Sequence, residues 1–127
     1  MSELFGATFE RVESAMRFRV ARQSVLSGNV ANADTPGYRR FDLEIDEHLR
    51  DTSLSRTDAR HLNAGGLASK DWKVERGDFG TRPDRNGVDM DQELITMSRN
   101  AGAFVQQAEV LSRLLSIRRI AVTGEPR

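Results

Sequence analysis

The sequence predicts a mainly α protein in which a long N-terminal helix and a long C-terminal helix pair as an antiparallel coiled coil. A small, partly irregular or β insert lies between them. Apolar residues recur at helical spacing near both ends of the 127-residue chain, and the middle is polar with short alternating stretches. This length suits a single domain, residues 1–127, divided into helix 4–33, turn and insert 34–87, and helix 88–123.

The predicted first helix presents one apolar seam. Spacings of four and three residues place these side chains on it: Phe5, Phe9, Val12, Met16, Leu26 and Val30. Arg19 and Gln23 interrupt the seam at the same register. Polar residues in a helix seam can fix its pairing register at a cost in stability. At 1.5 Å per residue the helix would be about 45 Å long.

The stretch "NVANADTPGYRR", residues 29–40, predicts the end of that helix. Asn29 and Asn32 are weak helix formers, and asparagine tolerates left-handed backbone at a helix end. Thr35 precedes proline, which disfavours its helical conformation. Pro36 and Gly37 fit the two central positions of a type II turn, fixed φ followed by positive φ. The chain therefore leaves the helix in a specified direction.

The insert contains two short alternating stretches. Phe41, Leu43 and Ile45 alternate with polar residues, which favours a short strand, although Ile45 could also begin a helical turn. Trp72 and Val74 alternate before a turn at Gly77, which indicates a second short strand. Residues 51–69 are polar, so we predict no second hydrophobic core.

The second helix begins with a capping box and has a regular seam. Asp89 is the predicted N-cap, with Gln92 three residues on. With Ala101 and Ala108, a strict heptad seam is formed by Met90, Leu94, Met97, Phe104, Leu111 and Leu115. Gly124 and Pro126 end a helix of about 50 Å.

Both helices also carry apolar side chains beside their seams. A pair of helices is too thin to bury them, and they form a second stripe: Phe18, Val20, Val25, Leu114, Ile117 and Ile120. Exposed apolar surface of this kind marks sites of interaction. The pattern predicts a subunit of a larger helical assembly.

Composition argues against several classes of function. The 19 basic and 19 acidic residues balance, which disfavours a nucleic-acid partner. No apolar run is long enough to span a membrane, no polybasic lipid anchor is present, and the N-terminus lacks the pattern of a cleaved signal peptide. There is no cysteine, so thiolate and disulfide chemistry are excluded.

Neither an enzyme nor a cofactor is expected. His48 and His61 lie outside any ligand-spaced motif, and the chain has no nucleophile elbow or phosphate loop. The acidic stretch around Asn86 does not match the spacing of a calcium-binding EF-hand loop, because position five is Val88 and position twelve is Ile95. Its carboxylates, from Asp84 to Asp91, fit a helix N-terminus better than a metal site.

The helix-ending turn resembles the N-terminal signature of rod and hook proteins of the bacterial flagellum, and most of all that of proximal-rod members. The matching residues are Asn29, Ala31, Asn32, Asp34, Thr35, Pro36, Gly37 and Tyr38. The stretches "RTDARHL", residues 56–62, and "RNGVDMDQEL", residues 85–94, are similar to further segments of the same family. Gly28, Gly87 and the tail "SIRRIAVTGEPR" depart from its pattern.

The resemblance implies a single rod-type domain that is a structural subunit of the proximal rod in the flagellar basal body. Copies would assemble helically into a torque-transmitting tube around the export channel, with Tyr38 and Arg39 against a neighbouring subunit. Implied partners are copies of the chain, other rod subunits, the rod-to-ring adaptor, the membrane (MS) ring and the export gate. The implied location is the periplasmic rod, reached without a cleaved signal. The alternative is a small cytosolic helical adaptor or export chaperone that binds partner helices.

Overall fold

A computed structural model describes residues 2–45 and 72–124, with side chains from residue 6 onward. Helix α1 spans Ser2–Ala31, strand β1 Phe41–Ile45, strand β2 Trp72–Arg76, and helix α2 Met90–Thr123. The predicted fold class is confirmed. His48, His61, residues 56–62, Pro126 and the Phe5 side chain lie outside the described part, and so do the interpretations placed on them.

The two helices pack against each other in antiparallel directions. Asn29, near the end of α1, contacts Glu93, near the start of α2. Further back along α1, Gln23 contacts Asn100. The helices are about 45 Å and 51 Å long, from 30 and 34 residues. The pair is therefore in contact along much of its length, as predicted.

The ends of α2 are formed by the residues that the sequence indicates. The Asp89 side chain accepts a hydrogen bond from the Gln92 backbone N–H at 3.2 Å. Gly124 adopts φ +70°, and its N–H donates to the Ile120 carbonyl at 2.8 Å. A left-handed residue at this position ends a helix while satisfying one of its last carbonyls.

The strands form a two-stranded antiparallel sheet that packs on α1. Phe41 pairs with Arg76 and Ile45 with Trp72. The Trp72 ring lies 6.0 Å from that of Phe18, between centroids. Phe18 is therefore buried, at 5% exposure, and not part of an exposed stripe as predicted. The sequence could not reveal this, because nothing local places residue 72 beside residue 18.

Within residues 2–45 and 72–124 the hydrophobic core is small. Its buried apolar side chains are Phe18, Leu26, Ala33, Leu43 and Val88. In α1 the seam residues Phe9, Val12, Met16 and Val30 are half buried. Much apolar surface elsewhere remains in contact with solvent.

The face that α2 turns toward α1 is rotated from the predicted seam. Met97, Phe104 and Leu111 are half buried, but the positions between them on the inner face are polar. These are Glu93, Asn100 and Gln107, spaced by seven residues, of which the first two are 1% and 2% exposed. Asn100 donates hydrogen bonds to the Arg19 carbonyl and to Gln23 Oε1, both at 2.8 Å. Arg19 and Gln23, the polar residues that interrupt the α1 seam, therefore contact Asn100 of α2. The three inner polar residues of α2, Glu93, Asn100 and Gln107, are called here the polar ladder.

The other predicted seam positions of α2 lie outside this contact. Met90, Leu94 and Leu115 are 43%, 49% and 48% exposed, and Ala101 is also exposed. One edge of the apolar seam thus packs on α1 while the other edge faces outward.

Replacement of Gly28 by alanine is expected to stabilise the protein by about 0.5–1 kcal/mol, because glycine is a poor helix former. A Cβ at residue 28 would meet no atom within 4 Å. Gly37→Ala is the matched control, since Gly37 has φ +69° and should lose stability on gaining a Cβ. Urea unfolding of both variants measures the two shifts, and equal signs would contradict the expectation.

Candidate functional site

The turn at residues 29–38, called here the signature turn, has the type II geometry that its sequence predicts. The Tyr38 N–H donates to the Thr35 carbonyl at 3.3 Å, and Gly37 adopts φ +69°. Asn32 Nδ2 donates to the Gly28 carbonyl at 2.8 Å and so satisfies a carbonyl of the last helical turn. Among residues 2–45 and 72–124, the non-glycine residue with positive φ is Arg85. Neither Asn29 nor Asn32 therefore adopts the left-handed backbone that asparagine tolerates at a helix end.

Asn86 holds the inner side of the turn from a distant part of the chain. Its Nδ2 donates to the backbone carbonyls of Asn32 and Thr35 at 2.9 and 2.7 Å. Its Oδ1 accepts from the Val88 N–H at 2.7 Å. Asn86 is 1% exposed, so these bonds satisfy polar groups that water does not reach.

Backbone hydrogen bonds extend the same junction. Gly37 N–H donates to the Asp84 carbonyl at 2.8 Å, and Gly87 N–H to the Tyr38 carbonyl at 2.9 Å. A Cβ at Gly80 would lie 1.8 Å from the carbonyl oxygen of Asn86, so only glycine permits this approach. The turn is thus joined to the segment that leads into α2.

Asn29 connects three parts of the fold. Its side chain exchanges two hydrogen bonds with the backbone of Phe41, from Nδ2 to the carbonyl at 2.7 Å and from the N–H to Oδ1 at 3.0 Å. The Tyr38 hydroxyl also donates to Oδ1, at 3.4 Å, and Nδ2 donates to Glu93 at 3.1 Å. Asn29 lies inside α1 and is fully buried. It joins α1 to β1 and α2 and does not end the helix.

A set of four charged side chains, Arg22, Arg40, Asp42 and Glu93, lies beside Asn29 and is called here the ion network. Arg22 holds Asp42 with two parallel bonds, Nε to Oδ1 at 2.7 Å and Nη2 to Oδ2 at 2.8 Å. Arg40 bonds Asp42 at 3.0 Å and also pairs with Glu93. Its two cations and two anions balance, and the partly exposed Arg22 and Arg40 compensate the more deeply buried carboxylates of Asp42 and Glu93.

Asp42 makes the ion network sensitive to acid. Burial alone would raise the pKa of Asp42, but hydrogen bonds from Arg22, the Leu43 N–H and Arg40 outweigh it and hold the pKa below 3.8. The folded pKa is below the unfolded one, so this contribution to stability is fully present above about pH 4. This contribution is lost as the pH falls through the lowered pKa of Asp42 in the folded protein.

We expect the free energy of unfolding to fall on acidification below about pH 4, and to fall less in Asp42→Asn, which has no carboxyl group to protonate. Urea unfolding from about pH 6 to about pH 3 measures both slopes. Asp78→Asn, an exposed carboxyl, is the control and should retain the wild-type slope. Identical slopes for wild type and Asp42→Asn would refute this assignment.

The predicted signature residues divide between two sides of the turn. Asn29 is buried and Asn32 and Tyr38 are half buried, whereas an exposed outer side carries Ala31, Asp34, Thr35, Pro36 and Gly37. Tyr38 packs edge-on against Phe41 at 6.0 Å between ring centroids. Arg39 Nε donates to the Gly77 carbonyl at 2.9 Å, and its guanidinium lies 5.0 Å from the Phe79 ring centroid. Both residues predicted to touch a neighbour therefore have contacts within the chain.

Sequence reasoning missed the ion network and the role of Glu93. One signal was available, because Glu93, Asn100 and Gln107 share a heptad position next to an apolar seam. Three of the polar side chains in the acidic stretch have structural roles: Asp84 Oδ1 accepts from the Asn86 N–H at 3.1 Å, Asn86 holds the turn, and Asp89 caps α2. Within the described ranges no three histidine or acidic side chains converge as metal ligands, and no helix there is apolar enough over sufficient length to cross a membrane.

The turn and its partners identify a class of protein. Residues 12–39, from α1 through the signature turn, match the family of flagella basal body rod proteins. The stretch that matches contains Arg22, Asn29 and the whole turn, which are the residues that join α1 to the rest of the fold.

Curated relatives define the family more narrowly. The chain is 26% identical over 125 residues to the flagellar basal body rod protein FlgB of Bacillus subtilis, covering 95% of this chain and 97% of that protein. FlgB of a Cereibacter sphaeroides strain is 31% identical over 115 residues, with coverage of 87% and 90%. FlgB of Yersinia ruckeri is 34% identical over 111 residues, with coverage of 78% and 81%.

The chain belongs to the FlgB family, structural proteins of the flagellar basal body rod. The resemblance seen in the sequence is confirmed. Membership favours a structural subunit over the adaptor or export chaperone that the sequence also allowed.

Proposed function

We propose that this protein is a subunit of the proximal rod and that its copies assemble helically into a tube around the export channel. The observation that carries the proposal is the outward edge of the α2 seam. Met90, Leu94 and Leu115 are each more than two-fifths exposed, and Val105 is 61% exposed. Apolar residues in one helical stripe of this extent are typical of a surface that is covered in an assembly.

The groove between the helices offers a place for a neighbouring helix. Met16, Val20 and Ala21 of α1 and Leu111 of α2 line it with mostly apolar surface. Val20 is 59% exposed, so the groove is open to an incoming side chain. Helices pack by inserting the side-chain ridges of one into the grooves of the other.

The polar contacts within the chain complement this role. The bonds of Asn100 to α1 and those of the ion network hold α1, α2 and the sheet in one arrangement. Apolar surface is then left for contacts between copies. A tube of long helices in lateral contact would transmit torque along its axis. Each helix is 45–51 Å long, so it could contact a neighbouring helix over several helical turns.

The partners proposed for this subunit are copies of itself, the other rod subunits, the rod-to-ring adaptor, the MS ring and the export gate. The proposed location is the periplasmic rod, reached by export without a cleaved signal peptide. The exposed outer side of the signature turn, from Asp34 to Gly37, is available to a neighbour. Tyr38 and Arg39 would reach a neighbour only with their exposed portions.

Leu115→Asp is expected to abolish swimming while leaving the stability of the isolated protein within about 0.5 kcal/mol of wild type, because Leu115 is 48% exposed. Complementation of a non-motile strain that lacks its own FlgB, together with recovery of basal bodies, measures the loss. Gln106→Asp places the same charge on an exposed polar position of α2 and should swim normally.

Leu111→Asp is a poorer test, since Leu111 lies half buried against α1 and the variant should also lose stability. Normal swimming and normal basal bodies in Leu115→Asp would remove the support for assembly through this edge.

A further inference from the structure

The outer edge of strand β2 is open. In an antiparallel ladder, residue pairs whose backbone groups bond to each other alternate with pairs whose backbone groups point away from each other. The Gly77 N–H bonds to the Arg40 carbonyl, so the next pair along, Phe41 with Arg76, is of the second kind. Three residues of β2 therefore turn their backbone N–H and C=O groups away from β1: Trp72, Val74 and Arg76.

The two outer edges of the sheet differ in how their backbone groups are satisfied. At the outer edge of β1, the Asn29 side chain bonds both backbone groups of Phe41. At the outer edge of β2, the outward backbone groups have no hydrogen-bond partner among residues 2–45 and 72–124. Val74 is 64% exposed and the Lys73 side chain 60%, so this edge is in contact with solvent. An open edge strand is a template for pairing with another strand.

We propose that β2 pairs antiparallel with β2 of a second copy of this chain, about a two-fold axis at Val74. The two-stranded sheets of the two copies then join into one sheet of four strands. The strand WKVER is its own complement in this register, because each Lys73 lies opposite Glu75 of the other copy. Opposite charges that face each other across two strands stabilise a sheet, and the symmetry makes this pair occur twice. Charge complementarity thus selects a second copy as the partner.

Charge also selects this register over its neighbours. Moving the two-fold axis by one residue shifts the pairing by two, which keeps the outward backbone groups facing each other. An axis at Lys73 would place two lysines opposite each other, and an axis at Glu75 would place two glutamates opposite each other. Like charges directly opposite destabilise a sheet. The axis at Val74 sets both charged positions against the opposite sign.

The charged face of the sheet offers Glu75 no cation within its own chain. Glu75 lies opposite Asp42, whose carboxylate is bound by Arg22, and no salt bridge to Glu75 forms among the described residues. Lys73 lies 3.4 Å from Glu44 on the same face. In the paired sheet Lys73 stands between Glu44 and Glu75 of the second copy, so Glu75 gains a cation.

The opposite face of the sheet becomes a continuous apolar row. Leu43 lies beside Val74 in each copy, and the axis brings the two Val74 side chains together. At either end of the pair, Arg76 lies opposite Trp72 of the second copy. The Arg76 guanidinium is already 5.0 Å from the Phe41 ring centroid in its own chain, and arginine packs favourably on aromatic rings. The pairing therefore leaves no like-charged pair at its ends.

A two-fold contact of this kind closes on two copies. Both copies use the same patch, so the contact is isologous and does not extend into a tube. The inference therefore goes beyond the proposed function, because it concerns the chain before it enters the rod. Pairing would cover an edge that is otherwise a site for aggregation.

Exchange of the two charges gives the decisive measurement. Lys73→Glu places glutamates opposite each other at both positions, and Glu75→Lys places lysines there. Each variant alone should dimerise roughly tenfold more weakly than the wild-type chain, since two opposite-charge pairs become like-charge pairs. An equimolar mixture of the two variants should recover dimers, and so should the double variant Lys73→Glu/Glu75→Lys by itself. Sedimentation velocity over a range of protein concentrations measures each dissociation constant.

Matched controls make the same changes of charge elsewhere. Arg11→Glu and Glu109→Lys alter the net charge as the two variants do, at exposed positions on the helices. Both should dimerise within about threefold of wild type at about 0.15 M salt, where distant charges are screened. The contact is overturned by a wild-type chain that stays monomeric at about 1 mM, by a mixture that fails to recover, or by controls that weaken equally.

Proline at residue 74 tests the backbone contact separately from the charges. The Val74 N–H points away from β1, so Val74→Pro removes no ladder bond of the chain itself and should block pairing. Val74→Thr keeps the N–H and the branched Cβ and should pair as wild type does. A proline variant that dimerises as strongly as the threonine variant would refute pairing through this edge.

Failure of this contact and failure of the proposed function give different results. Loss of pairing leaves the expected defect of Leu115→Asp unchanged, because Leu115 lies on α2 and not on the sheet. Normal swimming of Leu115→Asp would count against assembly through the apolar edge and would leave the pairing of β2 in place.

Discussion

Replacement of Glu93 by alanine is expected to lower the free energy of unfolding by about 3 kcal/mol. Glu93 is 1% exposed and accepts hydrogen bonds from Arg40 and Asn29. Its removal leaves the Arg40 guanidinium facing Asp42 alone, with one Asn29 donor unpaired in the interior. The side chain of Arg40 is 30% exposed, so water recovers part of the loss and keeps the effect at the lower end for a broken buried pair.

Urea unfolding followed by far-UV circular dichroism measures the change in Glu93→Ala. Glu109→Ala removes an exposed carboxylate from the same helix and should stay within about 0.5 kcal/mol of wild type. Glu93→Gln keeps the length of the side chain and one acceptor oxygen, so its free energy of unfolding should fall less than that of the alanine variant. An alanine variant as stable as the Glu109 control would mean that Glu93 and Arg40 contribute little to the native fold.

Asn29→Ala should cost about 3 kcal/mol by a different route. The Phe41 N–H and carbonyl both bond to the Asn29 side chain, and alanine leaves these two backbone groups without that partner. The better helix propensity of alanine recovers only about 0.5 kcal/mol. We also expect β1 to be held less firmly, because Asn29 bonds α1 to Phe41, the first residue of β1.

The same urea experiment, with amide hydrogen exchange of β1, tests Asn29→Ala. Ser27→Ala is the control, since it replaces an exposed side chain of the same helix and should change stability by only a few tenths of a kcal/mol. Asn29→Asp keeps the acceptor but places a second carboxylate beside Glu93, so at neutral pH it should be no more stable than the alanine variant. Unchanged protection of β1 in Asn29→Ala would contradict the role given to this side chain.

Local signals sufficed for the elements of this fold. Asp89 and Gly124 mark the ends of α2, and Gly37 takes the positive φ that a type II turn requires, because each depends only on a few neighbouring residues. Alternation identified both strands, Phe41–Ile45 and Trp72–Arg76. Each of these features has a signal in a few neighbouring residues, although the strands also need each other to pair.

Features that depend on distant contacts were not predictable. Hydrophobic periodicity favoured the Leu94–Ala101 side of α2 as the contact face, yet α1 meets Glu93 and Asn100 one position earlier. Polar partners on α1 and β1 decide this rotation, and their positions are unknown before the fold is known. The burial of Phe18 under Trp72 has the same cause.

The role of Asn29 shows how one residue type supports different structures. An asparagine near a predicted helix end is typical of a terminator, since its side chain competes with the backbone. Here the side chain bonds to Phe41, twelve positions ahead, while its own backbone stays helical. The stretch around Asn29 has the sequence of a turn, but the Asn29 side chain acts in the interior of this fold.

The bonds of Asn86 to the signature turn also fix the order in which the molecule can mature. They join residues 54 and 51 positions apart, so a large loop must close before either bond can form. The hydrogen bond from Asn29 to Glu93 likewise joins residues 64 positions apart. During synthesis the N-terminal helix emerges first, but its junction with the rest of the fold is completed only when residues 84–93 follow. Topology of this kind slows folding, and the junction of α1 with α2 can form only after residue 93 of the 127 has been made.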